Sequence, residues 1–333
     1  MTSNTELVTV VIPAYNAAAT IGETILSVRA QTHARLEILI VDDGSIDGTA
    51  EIVQSHMSLD SRIRLLRQAN GGVASARNLG WKQAAAELIA FVDSDDLWSA
   101  VKIEKQLAAL RKGGDSLALV YTWFAVLDMA GCVVNDRHCP AVAGKVLEEL
   151  LRQNFVGNAS SALIRKAALC AVGGYDPGLR AQRAEGCEDL LLYLRLAERY
   201  EFAVVPECLT GYRLRPGSMS SNLMQMLRSW RLVAAEMCSR HPQHRRIVEQ
   251  GMTNYVCWLL GQAIRSRRPF DVARLGLTLL LRRPDLAAER LFIQPSRWLL
   301  QKVWRTLRQK WAGVADSAPE PSRFEIGNPD ASR

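Results

Sequence analysis

The sequence has no apolar run approaching the roughly 20 residues that cross a bilayer. Its start, Met1-Thr2-Ser3-Asn4-Thr5-Glu6, lacks a basic stretch leading into an apolar one, so no signal peptide is expected. No G-x-G-x-x-G follows the first apolar run, which argues against a dinucleotide cofactor. No G-x-x-x-x-G-K-[ST] is present either, which excludes a P-loop nucleotidase. The seven cysteines contain no C-x-x-C pair, which excludes a disulfide framework or zinc site and predicts a reduced, cytoplasmic setting. Aromatic and basic residues do not interleave in a recognisable module, so no nucleic acid partner is expected. What remains, 48% hydrophobic and 23% charged residues over 333 positions, suits one large folded domain with an appendage. The net charge of +7 is uneven: positions 264–311 carry twelve basic and three acidic residues, so the rest of the chain is close to neutral.

The most informative stretch is the apolar run Leu88-Ile89-Ala90 followed by Phe91-Val92-Asp93-Ser94-Asp95-Asp96-Leu97-Trp98. A continuous apolar run is how a strand covered on both faces reads, and the acidic residues then lie at its carboxyl end. Crowded carboxylates repel one another unless a cation or hydrogen-bond donors sit among them. Hard oxygen ligands suit Mg2+ or Mn2+, which bind through one or two carboxylates plus ligand phosphates. Upstream, Val8–Ile12 is a β-branched run ended by Pro13, and Ala14-Tyr15-Asn16 is the turn after it. Thr20 and Glu23 have capping-box spacing ahead of a helix. Leu36–Val41 reads as a second strand ending in Asp42-Asp43-Gly44-Ser45, and Ile63–Leu66 as a third. An Ala-rich helix over 74–86 follows the loop Asn70-Gly71-Gly72. This alternation predicts an α/β fold with a mostly parallel, doubly wound sheet and a C-terminal helical extension. Asp42 and Asp93–Asp96 then share the sheet edge where α/β folds bind ligands. A carboxylate for a base or ribose and a cation for phosphates are what a nucleotide needs, and Arg77 and the amides near Gly71-Gly72 can meet it from a third side.

Val10-Val11-Ile12-Pro13-Ala14-Tyr15-Asn16, Ile40-Val41-Asp42-Asp43-Gly44-Ser45-Ile46-Asp47-Gly48-Thr49, Ala76-Arg77-Asn78 and Phe91-Val92-Asp93-Ser94-Asp95-Asp96 occur in that order. They resemble the signatures of family 2 glycosyltransferases, which have the GT-A fold, and the resemblance covers about the first two-thirds of the chain. It implies a nucleoside-diphosphate sugar donor, UDP-linked in the commonest case. Pro13, Ala14 and Tyr15 frame the base and Asp42 accepts from it. Arg77, Asp93 and Ser94 lie along the nucleotide and ribose, and Asp95 binds the Mn2+ or Mg2+ that bridges the diphosphate. Gly173-Gly174-Tyr175-Asp176 resembles the acceptor-side loop, where Gly174 and Tyr175 are the candidates. The acidic pair Glu188-Asp189 opens an apolar helix, and the family places its general base at the second residue of that pair, Asp189. The last part of Leu209–Ser220 resembles the loop closing over the diphosphate, with Arg215 and with Arg213, for which a role in the fold is the alternative; many relatives carry a His at the position of Arg215, and Arg binds phosphate but not metal.

The implied activity is inverting transfer of a sugar to a hydroxyl of a saccharide or lipid-linked saccharide. Two rivals stay open: a catalytically silent sugar-nucleotide or membrane-binding protein, and an Asp-dependent metal phosphatase. The second wants Thr or Val where Leu97 stands. The expected domains are catalytic over 1–218, with a nucleotide-sugar half to 98 and an acceptor half over 99–218. A helical extension over 219–311 and a disordered tail over 312–333 follow. Within 296–311, Leu300, Val303, Trp304, Leu307 and Trp311 recur at helical spacing, with Lys302 and Arg305 opposite. That pattern predicts peripheral contact with the inner face of an anionic membrane, or docking of the apolar side on the catalytic domain.

Overall fold

The structure is a computed structural model describing residues 6–137, 141–215, 217–290 and 322–327. Runs of β-branched and aliphatic residues form its centre. All seven residues of β1 (Val8–Ala14) are buried, as are six of the seven in β2 (Leu36–Asp42). Helices α1 (Ile21–Arg29), α2 (Thr49–Met57) and α3 (Val73–Gln83) separate β1, β2, β3 (Ile63–Arg67) and β4 (Leu88–Phe91). These four strands are parallel in the order β3-β2-β1-β4. α3 lies close on β1 because Gly80 has no side chain: a Cβ there would sit 2.3 Å from Val11 Cγ1.

The second half is mixed rather than parallel. It comprises β5 (Leu97–Trp98), α4 (Lys102–Lys112), β6 (Leu117–Leu127), β7 (Val133–Arg137), α5 (Leu147–Arg152) and β8 (Ala162–Arg165). Then come α6 (Lys166–Val172), α7 (Gly178–Ala181), α8 (Glu188–Ala197) and β9 (Glu201–Arg213). The sheet continues β4-β8-β6-β9-β5, with β8 antiparallel to both its neighbours and β6 parallel to β9. The sequence suggests a short strand over 202–205. Instead β9 runs 13 residues, because Pro206 and Glu207 are bulged out where the register jumps from Thr122–Val205 to Trp123–Cys208.

Residues 322–327, expected within a disordered tail, dock on this sheet. Val133 N donates to Ser322 O at 2.8 Å and Phe324 N to Gly131 O at 3.0 Å. Phe324 and Ile326 pack against Leu97, Ala125 and Leu127. Alternate apolar side chains pair with an edge and bury one face, which outweighs the polar composition. The basic stretch over 296–311 lies outside the described residues.

The chain divides into two compact units, Met1–Ser218 with Ser322–Arg333, and Met219–Pro321. The second holds α9 (Leu223–Arg240), α10 (Arg245–Arg265), α11 (Pro269–Arg282) and α12 (Pro284–Ala288). Asn222 caps α9, its side chain accepting from Gln225 N. No helix among the described residues is long and apolar enough to cross a membrane.

Candidate active site

Strand order decides what meets at the carboxyl edge. β1 lies between β2 and β4, with Ala14 in register with Asp42 and Val11 with Phe91. Asp42, the Ala14-Tyr15 turn and Asp93 therefore top three adjacent strands, about 10 Å from side to side. Pro13 and Ala14 are buried, whereas the Tyr15 side chain stands half exposed above them. One oxygen of Asp42 accepts from Ser45 N at 2.9 Å, and the other lies 3.8 Å from Arg67 Nε. Asp43 faces the opposite way in role: it accepts from Gly71 N, Gly72 N and Gln68 Nε2 at 2.7–2.8 Å. It is a brace that shapes the Gly71-Gly72 loop, which sequence spacing alone does not separate from Asp42.

Arg77 is the centre of the site. From the first turns of α3 its buried guanidinium forks: Nη2 donates to Asp93 Oδ1 at 2.6 Å and Nη1 to Asp189 Oδ1 at 2.7 Å. It thus joins the acidic loop after β4 to the start of α8. The face of Tyr175 lies 5.0 Å beneath the guanidinium carbon, a cation–π contact. Asn78 fixes Tyr175 from both sides, accepting from Tyr175 N at 3.0 Å and donating to Tyr175 O at 2.8 Å. Gly174 makes that approach possible. It has φ 74°, and a Cβ would sit 2.7 Å from Asn78 Oδ1.

These contacts set the electrostatics. Burial raises the Asp189 carboxyl above its ordinary range; Arg77 opposes the rise and Asp93 adds to it. Burial pushes Glu188 up to about 7, with Asp189 contributing. Its carboxylate accepts from Gly186 N at 2.8 Å, closing the turn before α8. Asp95 is pushed up to about 6, first by burial and then by Asp93, while Arg215 opposes the rise. Arg215 Nε lies 3.7 Å from Asp95 Oδ2.

Asp96, next in sequence, serves the fold. It is fully buried, accepting from Ser160 Oγ at 2.5 Å and from Arg213 N at 3.0 Å. Ser160 Oγ in turn accepts from Asp93 N at 3.0 Å, and Trp98 Nε1 donates to Ser160 O at 2.8 Å. This chain fixes the acidic loop from below. The Arg213 guanidinium is committed to Glu23, at 2.5 Å, and to Met129 O, so it braces β9 rather than offering donors to a diphosphate. Ser94 is partly exposed between Asp93 and Asp95.

Among the described residues no group of three His, Cys, Asp or Glu side chains is placed to hold a metal by itself. Asp93 stands close enough to Asp95 to raise its pKa, and the charges of Arg215 and, less, Arg213 offset that rise. That donor set fits a hard cation taking one or two carboxylates and completing its shell from phosphate oxygens and water.

The edge therefore presents the Asp42 carboxylate at the end of β2, a pair of carboxylates suited to a cation, and a carboxylate of raised pKa tied to one of them through arginine. The family model described as "Glycosyl transferase family 2" matches residues 9–136. The putative teichuronic acid biosynthesis glycosyltransferase TuaG of Bacillus subtilis (strain 168) is 33% identical over 225 residues, 67% of this chain and 84% of that protein. WfgD of Escherichia coli, a UDP-Glc:alpha-D-GlcNAc-diphosphoundecaprenol beta-1,3-glucosyltransferase, is 40% identical over 123 residues, 37% of this chain and 47% of that one. Other curated relatives are longer, and the chain spans 29–34% of their length. Among solved structures, S. aureus TarS 1–349 in complex with UDP-GlcNAc superimposes with a TM-score of 0.61 at 17% identity, over 96% of this chain and 99% of that one. The GT-A architecture is common to both. The order of strands, the acidic edge they build and the extent of the match to TuaG lead to one assignment: this chain belongs to glycosyltransferase family 2.

Proposed function

We propose that the chain is an inverting glycosyltransferase that takes a sugar from a nucleoside diphosphate, UDP in the first instance, and places it on a hydroxyl of a saccharide or lipid-linked saccharide. The observation carrying this reading is the arginine fork, Asp93–Arg77–Asp189, which ties a donor-side carboxylate to an acceptor-side one. Pro13, Ala14 and Tyr15 bound the base and Asp42 accepts a hydrogen bond from it. Asp93 and Ser94 lie along the ribose side. Asp95 would hold Mn2+ or Mg2+, and such a cation would neutralise charge that grows on the departing phosphate. Arg215 lies on the same side and offers the leaving group a second positive charge.

The acceptor hydroxyl oxygen bonds to the anomeric carbon as the bond from that carbon to the diphosphate breaks. The nucleoside diphosphate leaves with the electron pair, and Asp189 takes the hydroxyl proton. A raised carboxyl pKa brings the base closer to operating pH, which favours that proton transfer. A single displacement inverts the anomeric configuration, and no second carboxylate is assigned a covalent role. The UDP donors and undecaprenol-linked acceptor in the names of the relatives support this choice of substrates, and TuaG and WfgD point to cell-envelope polysaccharides.

The test is Asp189→Asn, assayed for transfer and for donor binding. Donor affinity should stay within a few-fold while transfer falls by about 10²–10⁴, the usual size of general-base catalysis. Transfer within tenfold of the parent protein sinks the assignment of the base. A panel of nucleoside diphosphate sugars, read by thermal shift, identifies the base and sugar.

A further inference from the structure

The helical unit carries an apolar surface that the transferase chemistry does not use. α11 is apolar on two sides. Leu275, Gly276 and Leu279 are buried, on a helix that packs against α10. Phe270, Ala273, Leu277, Leu280 and Leu281 are exposed, with Phe270 at 85% and Leu281 at 79%. At 3.6 residues per turn these five fall within an arc of about 100°, a continuous stripe along the helix. A helix apolar on both sides normally has both covered.

The charges around the stripe say what suits it. Arg267, Arg274 and Arg282 are exposed and form no ion pair among the described residues. The acidic side chains of the same stretch are engaged: Asp271 lies 3.9 Å from Arg268, and Asp285 pairs with Arg283 at 2.7 Å. The rim is therefore uncompensated and of one sign. A second copy would bring like charges together, which costs. The segment 291–321 is itself basic, with five Lys/Arg and two Asp/Glu in sequence, so it is a poor electrostatic match too. An anionic lipid surface offers both an apolar layer for the stripe and negative headgroups for the arginines.

We infer that the outer stripe of α11 is a docking surface for anionic lipid. Phe270, Leu277 and Leu281 enter the headgroup boundary while Arg267, Arg274 and Arg282 stay at headgroup level, their aliphatic stems covering the edge of the stripe. The surface holds the enzyme at a bilayer without spanning it.

The experiment is sedimentation of the full chain with phosphatidylcholine vesicles, with and without phosphatidylglycerol. The parent protein should pellet with the anionic vesicles far more than with the neutral ones, and lose binding as salt rises. Arg274→Glu with Arg282→Glu should lower the partition at least about 25-fold, since each basic residue near such a surface multiplies binding about fivefold. Phe270→Ser with Leu281→Ser should lower it about tenfold or more. Both pairs lie on the surface and should leave thermal midpoint and donor binding unchanged. Equal pelleting with both vesicle types overturns the inference. So does anionic binding that survives both pairs of substitutions, which puts the contact elsewhere in the chain. Conversion of an oligomer to a monomer by the serine pair, with vesicle binding unchanged, overturns it in favour of a self-interface.

Discussion

Replacing Arg77 should cost both the fold and the reaction. Its side chain is buried and holds Asp93 at 2.6 Å and Asp189 at 2.7 Å. Arg77→Ala leaves two carboxylates facing each other across a void with no countercharge. Breaking a buried charge pair from one side costs about 3–5 kcal/mol. Both carboxylates keep some access to solvent, 27% and 22%, so the lower end of that range applies. At about 2–4 °C per kcal/mol for a domain of this size, the thermal midpoint should drop by about 6–12 °C. Arg77→Lys tests the geometry separately. It keeps the charge, but one ammonium replaces a fork whose two nitrogens reach two partners. A hydrogen bond to a charged group is lost, about 1.5–3 kcal/mol. Transfer should fall in both variants because Asp189 is no longer oriented. Differential scanning fluorimetry and a transfer assay on both variants decide it. A midpoint within 2 °C of the parent for Arg77→Ala, about what less than 1 kcal/mol produces, refutes the bridging role.

Three further outcomes follow from named contacts. Glu188 has its folded pKa raised from 4.5 to about 7, so the folded state holds the proton more tightly than the unfolded one. Its burial therefore costs stability that grows from about pH 4.5 and is fully felt above about pH 7, on the order of 3 kcal/mol. Glu188→Gln should raise the midpoint at about pH 8 by several degrees and leave it unchanged near pH 4.5; a difference independent of pH contradicts this. Gly174→Ala combines φ 74° with a Cβ 2.7 Å from Asn78 Oδ1, so it should lose more than about 1 kcal/mol and weaken transfer through Tyr175, measured by urea titration. Ser160→Ala removes the hydroxyl joining Asp96 to Asp93 N, and should lower stability by about 1–3 kcal/mol with weaker donor binding by calorimetry; unchanged donor affinity argues against Ser160 as a positioning residue.

The parts of the fold that repeat along the chain were legible. The apolar runs at Val8–Ile12 and Leu36–Val41 announce buried strands, and the acidic residues directly after them announce a shared edge, because parallel strands place their carboxyl ends together. The Arg77–Asp189 contact was not legible, since it spans 112 residues and depends on where α8 begins after a mixed sheet. The separate duties of Asp42, the last residue of β2, and Asp43, which is spent on Gly71 and Gly72, depend on where the strand ends and how the loop at 70–72 folds back on it. Asp95 and Asp96 divide in the turn between β4 and β5: Asp95 stays beside Asp93 and Arg215, while Asp96 is buried on Ser160 and Arg213 N. β9 outruns the short strand expected over 202–205 because pairing resumes at Cys208 after Pro206 and Glu207 bulge out. Residues 322–327 mislead because their apolar positions, Phe324 and Ile326, are too few to stand out until an edge pairs with them.

Isothermal titration of UDP measures most directly whether the acidic edge grips a nucleoside diphosphate through a cation. It should be run with and without Mn2+, on the parent protein and on Asp95→Asn. The parent should bind UDP at least tenfold more tightly with Mn2+ than without, and Asp95→Asn should bind equally weakly in both conditions. Equal affinity with and without Mn2+ in the parent, or metal-dependent tightening that survives Asp95→Asn, contradicts the account.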